Sequence, residues 1–181
     1  MNKINQIPEL LARAEQQWST IYPQLAVTDA ALIGLIIGVG ANADYTGLLQ
    51  LKPFGLQQTE HDVLACARRQ PPPHQVKPSQ LLDEVRITSG ALTTCINRLI
   101  EKGLVTRISS AQDQRSKPLQ LTAQGCQLIE SLTQSRFQTA GQLMAVFSTD
   151  EKAQLKQLLL KFQQQLAANF NLPLEAKQSN Q

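Results

Sequence analysis

The sequence predicts a mainly α (α+β) chain, with helices at both ends and a basic module between them that carries the β structure. Three observations predict it. Apolar residues recur at helical spacing along most of the chain. Period-two alternation is confined to one place, LVTRI at 104–108 and PLQLT at 118–122. Charge is uneven: Arg68 to Lys117 holds nine Lys/Arg against four Asp/Glu, a net +5, and the remainder holds eight against ten, a net −2. A positive middle third is the footprint of an anionic partner. The 181 residues suit one domain or two small ones, long enough for a core without disulfides or metal. A hydrophobic content of 42% argues against wholesale disorder.

IPELLARAEQQWSTIY (7–22) places Leu10, Leu11, Ala14 and Trp18 on one side of a helix, and Pro23 stops it. Thr28-Asp29 is expected to cap a second, longer helix that runs to roughly Leu51. That helix is apolar on several sides between Ala30 and Val39, so it must be covered all round. In a small protein the cover is often a second subunit. Gly34 and Gly38 permit close backbone approach or merely loose packing. The most apolar run, AALIGLIIGVGANA at 30–43, is too short and too Gly-interrupted for a bilayer span of about 20 residues, so no membrane partner is expected.

Lys52-Pro53-Phe54-Gly55 is a break. QQTEHDVLACARR (57–69) reads as a third helix with Val63, Leu64 and Ala67 inward. RQPPPHQVKP (69–78) reads as a stiff polyproline-type connector; it lacks the PxxP register of an SH3 ligand. Pro78 suits the first turn of the helix SQLLDEV. After the turn Arg86-Ile87-Thr88, a helix is predicted from Ser89 to Lys102, with Leu92, Cys95, Ile96, Leu99 and Ile100 as one apolar stripe. Its other sides carry Ser89, Gly90, Thr93, Thr94, Asn97 and Arg98. These are short hydrogen-bonding residues without negative charge, and Glu101 comes only at the far end. Such a face suits close approach to base edges and phosphates.

Gly103 ends the helix. The two alternating segments then form a hairpin around SSAQDQRSK (109–117), longer than a tight turn needs and bearing Arg115 and Lys117. Helix, turn, helix and a two-stranded wing place one helix in the major groove of DNA and the wing on phosphates or the minor groove. An ordinary surface turn, or a helical adaptor using this shape for protein contacts, remains an alternative at this point. Thr122 can cap a long helix, 123–147, and Ser148 with Glu151 makes a capping box for a last helix, 149–170, striped by Leu155, Leu158, Leu159, Phe162 and Leu166. The expected organisation is N-terminal dimerisation helices at 1–56, a winged helix-turn-helix at 57–122, C-terminal dimerisation helices at 123–172 and a frayed tail at 173–181.

No catalytic constellation is evident. The two histidines, His61 and His74, have no acid or thiol partner placed by spacing. Cys66, Cys95 and Cys126 lack metal-ligand spacing and each lies in a helical apolar pattern, so they read as small buried hydrophobes, with a redox-sensing thiol as the minority reading. No cofactor or metal is expected. MNKINQIPEL is not a signal-peptide pattern, and a cytoplasmic protein is expected.

ALTTCINRLIEKGLVTRISSAQDQRSKPLQLTAQG (91–125) resembles the winged-helix core of the MarR (multiple antibiotic resistance regulator) family. The resemblance rests on Thr93, Arg98-Leu99, Gly103-Leu104-Val105, Asp113 with Arg115, and Leu121-Thr122 with Gly125, and extends over roughly 29–170. It implies a homodimeric transcriptional regulator, usually a repressor, with intertwined terminal helices and one winged helix-turn-helix on each half of a pseudo-palindromic operator. It implies release from double-stranded DNA by a small aromatic or phenolic ligand in the crevice between the dimerisation helices and the DNA-binding lobe. Carried over by position, Ser89, Gly90, Thr93, Thr94 and Asn97 are recognition-helix contacts, Arg115 is the wing-tip arginine, and Asp113 pairs with and shapes the wing. The family's D-R-R is Asp113-Gln114-Arg115 here, which removes one charge, and Arg107 is the substitute cation at the wing base. Trp18, Tyr22, Tyr45 and His61 are ligand-binding candidates; aromatic residues at helical spacing also read as core.

Overall fold

The computed structural model describes residues 7–108 and 117–170. The wing tip with Asp113, Gln114 and Arg115, and the expected tail, lie outside the described residues. The chain divides into two compact units, Met1–Pro53 and Phe54–Gln181.

The first unit is a helical hairpin. Helix α1 (Ile7–Ile21) is amphipathic and packs on α2 (Val27–Leu51), a 25-residue helix that is apolar on all sides rather than along one stripe. Gly34 is where they meet closely: a Cβ there would lie 2.9 Å from Leu11 Cδ2. Thr28 and Asp29 do not cap α2. The helix begins one residue earlier, with Ala26 at the cap position and no side-chain cap bond, which places Asp29 inside the first turn, where its charge favours the helix dipole. Among α2 residues only Leu51 is buried within the chain, and Leu32, Ile37 and Val39 are more than half exposed. The helix that holds residues 30–43 continues well past Ala43: Val27–Phe54 is 28 residues long and its most apolar 18-residue window has a mean hydropathy of 1.4, enough by length and composition alone to cross a membrane.

A 3-10 turn, Lys52–Phe54, and Gly55 at φ 59° lead into α3 (Gln58–Arg69). A capping box opens α3: Gln57 N–H donates to Glu60 Oε2 at 2.8 Å, and the Glu60 backbone N–H donates to the Gln57 side chain. The connector 69–78 is not a polyproline rod. It turns, with His74 N–H donating to Pro71 O at 2.8 Å and His74 at φ 61°, and it delivers a strand, β1 (Gln75–Val76). The wing is therefore part of a three-stranded antiparallel sheet of order β1-β3-β2, with β2 at Val105–Arg107 and β3 at Leu119–Leu121. Register pairs Val76 with Leu119 and Val105 with Leu121. All four are buried, so one face of the sheet closes onto the helices.

Helices α4 (Pro78–Val85), α5 (Ser89–Glu101) and α7 (Thr149–Phe170) follow the predicted bounds closely, whereas α6 (Ala123–Leu143) stops four residues short of the predicted 147 and tightens into a 3-10 turn, Met144–Val146. The core of the second unit is Val63, Leu64, Cys66, Leu81, Leu99, Ile129 and Leu132 with the sheet residues. Both predicted caps form: Thr122 Oγ1 accepts Gly125 N–H at 3.0 Å, and Ser148 and Glu151 exchange bonds at 2.7 and 3.3 Å. The second box holds the Glu151 carboxyl below its ordinary range, through the Ser148 backbone first.

Candidate nucleic-acid interface

Helix α4 starts at Pro78, whose missing N–H costs nothing in a first turn. It ends at Arg86 in the left-handed conformation, φ 56°. Thr88 then caps α5 by accepting Ala91 N–H at 3.3 Å. Four of the five stripe residues, Leu92, Cys95, Ile96 and Leu99, are buried; Ile100 is not, and lies 37% exposed at the edge of the stripe. The predicted contact residues Ser89, Gly90, Thr93, Thr94, Asn97 and Arg98 are all exposed.

The chemistry of that face is specific. Thr93 Oγ1 donates to Ser89 O at 2.9 Å and Thr94 Oγ1 to Gly90 O at 3.2 Å. Each hydroxyl proton is thus used within the helix, and the oxygens present lone pairs beside methyl groups. Acceptor oxygens suit the amino groups of cytosine and adenine, and methyls suit thymine. Gly90 has nothing within 4 Å of where a Cβ would be, so packing within the chain does not require glycine there. Arg107 Nη2 donates to Asn97 Oδ1 at 3.3 Å, which joins the wing base to the helix. Lys117 is exposed beside Pro118, at the start of the returning strand.

The end of α5, the wing and α6 converge on one corner. Gly103 at φ 68° reverses the chain, and Leu104 N–H donates to Leu99 O at 2.9 Å. The Thr122 hydroxyl donates to Gly103 O at 2.7 Å. A Cβ on Gly125 would sit 2.0 Å from Leu104 O, so α6 reaches this corner only with glycine there.

A cluster that the sequence reading missed lies behind α5. Lys102 Nζ donates to Gly55 O at 2.7 Å and to Glu60 Oε2 and Oε1 at 2.9 and 3.0 Å. Arg98 Nη1 donates to Gln57 Oε1 at 2.8 Å. The signal was present in Gln57-x-x-Glu60 and in the four-residue spacing of Arg98 and Lys102, but the partners are 41 and 42 residues apart.

The ligand candidates are spread over three helices. Trp18 and Tyr22 stack, with ring centroids 5.7 Å apart, and Trp18 lines a surface recess of about 480 Å³ with Gln17, Thr20 and Ile21. Both rings are exposed, as is Tyr45 on α2, so none of the three is core within this chain. His61 is buried on α3 in the second unit, its Nδ1 2.9 Å from Asp62 Oδ1. Cys66 and Cys95 are buried and Cys126 partly so. Burial pushes the Cys66 thiol up to about 12, helped by Glu84, and the Cys95 thiol up to about 11. Neither is a reactive thiolate near neutrality. Among the described residues no group of His, Cys, Asp or Glu is arranged to hold a metal ion.

The family model described as MarR family matches residues 56–117, from the entry to α3 through the wing. The HTH-type transcriptional regulator PecS of Dickeya dadantii (strain 3937) is 30% identical over 154 residues, which is 85% of this chain and 93% of PecS. The chain belongs to the MarR family. As a MarR-family protein it is a DNA-binding transcriptional regulator and not an enzyme. Wild-type MarR of E. coli without ligand is 29% identical, with a TM-score of 0.58 over 71% of this chain and 93% of that one. NadR, solved in complex with 4-hydroxyphenylacetate, shares the fold at 24% identity, with a TM-score of 0.56 over 72% of this chain and 89% of NadR.

Proposed function

We propose that this MarR-family regulator acts as a homodimeric repressor that places one α5 and one wing on each half of a pseudo-palindromic operator. The observation that carries the reading is the exposed face of α5, which offers Ser89, Gly90, Thr93, Thr94, Asn97 and Arg98 and no carboxylate before Glu101. Two-fold symmetry in the protein requires two-fold symmetry in the site, with half-sites about one helical turn apart. Arg107 and Lys117 at the wing base and Arg115 at its tip supply cations to phosphates and the minor groove; Asp113 shapes the tip. The broad apolar surface that α2 leaves exposed supports a second copy as its cover. Trp18, Tyr22, Tyr45 and His61 are the candidate contacts for a small aromatic effector that releases the DNA, and a cytoplasmic site of action follows from the DNA partner.

Gel-shift titration of Arg115→Ala at fixed salt is the direct test. It weakens operator binding by about 1–3 kcal/mol, the scale of a good groove contact, and leaves dimerisation unchanged. Unchanged affinity removes the wing from the mechanism. Absence of binding to any duplex at any salt favours the adaptor reading instead.

A further inference from the structure

Arg98 on α5 and Lys102, the residue that caps its C-terminus in a helical conformation, lie four residues apart, so their side chains leave the same side of the helix. Both turn toward the segment that opens α3, within the same unit. The Lys102 ammonium has three protons, and the structure gives it three acceptors: Gly55 O and both oxygens of Glu60. Glu60 is 1% exposed, and its Oε2 also accepts Gln57 N–H. Gln57 in turn holds Arg98. One short turn of backbone, Gly55 to Glu60, is thereby gripped at two successive turns of the recognition helix.

Stability alone is a poor reason for such an arrangement. Glu60 is buried and the Lys102 side chain is 34% exposed; an ion pair drawn out of water on one side is commonly matched or bettered by apolar side chains of similar volume. Apolar packing between α3 and α5 is non-directional and tolerates small rotations of one helix against the other. The Lys102 stem is flexible and follows small shifts, but its three acceptors at 2.7–3.0 Å fix which side of the helix faces α3. Turning α5 by one residue, about 100° of helix, would break every one of these bonds.

We propose that Glu60 and Lys102 are positioning residues for DNA binding. Their ion pair sets the rotation and register of α5 against α3, and thereby aims the Ser89–Asn97 face at the groove without itself touching DNA. This rests on the DNA-binding reading above. It also separates Lys102 from the cations that face phosphates, because its protons are spent inward.

The test uses the full chain and a duplex selected from a random-sequence pool by the wild-type protein. Three variants are compared by fluorescence anisotropy across a salt series, with thermal melting of each: Lys102→Met, Glu60→Gln with Lys102→Met, and Lys102→Arg. Lys102→Met strands a buried carboxylate and is expected to melt early. The double variant removes both charges and is expected to melt near the wild type, yet to bind the selected duplex at least tenfold more weakly. Its slope of log affinity against log salt stays unchanged, and its preference over a scrambled duplex shrinks. Lys102→Arg keeps the charge but replaces the compact ammonium by a planar fork, and is expected to stay folded and bind threefold to tenfold more weakly. Wild-type affinity in a folded double variant, or in Lys102→Arg, overturns the proposal. So does a salt slope reduced by about 0.9 per lost contact, which would make Lys102 a phosphate ligand. A wild-type chain that selects no duplex sinks the DNA reading itself, and the proposal with it.

Discussion

The stretch from α3 to β3 hides its apolar side chains and the α1–α2 hairpin does not. From α3 to β3, Val63, Leu64, Leu81, Leu99 and Leu119 are all at most 1% exposed, around a sheet whose inner face is closed. In the α1–α2 hairpin the most apolar helix of the protein leaves Ile37 at 65% and Val39 at 60%. The outer parts of α6 and α7 behave like the hairpin, with Phe137 at 75%, Val146 at 79% and Leu158 at 64%. The core from α3 to β3 closes within one chain. The terminal helices carry far more apolar surface than one chain covers, which is the signature of an association surface.

The largest expected effect breaks that contrast directly. Ile37→Asp puts a charge in the middle of α2's exposed apolar surface. If a second copy covers it, each substitution costs about 1.5–3 kcal/mol of burial, doubled by symmetry. Sedimentation then shows the dimer converted to the 20.0 kDa chain. A wild-type chain that is already monomeric and floats with lipid vesicles would turn the same surface into a membrane-binding one.

Gly125→Ala tests how tightly the reading module closes. The new methyl meets a backbone oxygen that has no rotamer to escape into, so the expected loss is about 3 kcal/mol, at the upper end for overpacking. Urea unfolding measures it, and a loss below about 1 kcal/mol would show a looser corner than the geometry implies.

Gly90→Ala separates folding from function on the open face of the module. Nothing in the chain opposes the methyl, so the helix gains about 0.5–1 kcal/mol. Operator binding weakens if DNA backbone approaches there. Equal or better binding would mean that the glycine is not needed for close approach.

The smallest effect concerns the thiols. At pH 8 iodoacetamide is expected to label Cys126 alone in the native protein, with Cys66 and Cys95 reacting only after denaturation; mass spectrometry counts the adducts. Because burial raises the Cys66 and Cys95 thiols above the ordinary 9.0, the unfolded chain loses these protons first. Stability from this source is intact below pH 9 and declines as pH rises toward about 11 to 12. Rapid native labelling of Cys66 would reopen a redox role.

Legibility followed sequence distance. The caps at Thr122 and Ser148–Glu151, the stop at Gly103 and the Pro78 start were readable because each satisfies backbone groups within a few residues. Strand β1 was not, because two residues after three prolines show no alternation and pair only with a segment about 45 positions later. Thr28-Asp29 misled because a good capping pair sat beside a start decided elsewhere. At the interface, the polar face of α5 was legible from periodicity, but the grip of Lys102 on Glu60 was not.

The sequence by itself determined the order of the helices and of the two wing strands, and the basic middle, which follow from local hydrogen bonding, side-chain period and charge written along the chain; its motifs carried the resemblance to the family. Only the tertiary structure decided that the connector joins the wing sheet, that Gly125 is sterically required, and that Lys102 pairs with Glu60. Each of these depends on atoms brought together from distant positions, and short-range patterns do not encode that proximity.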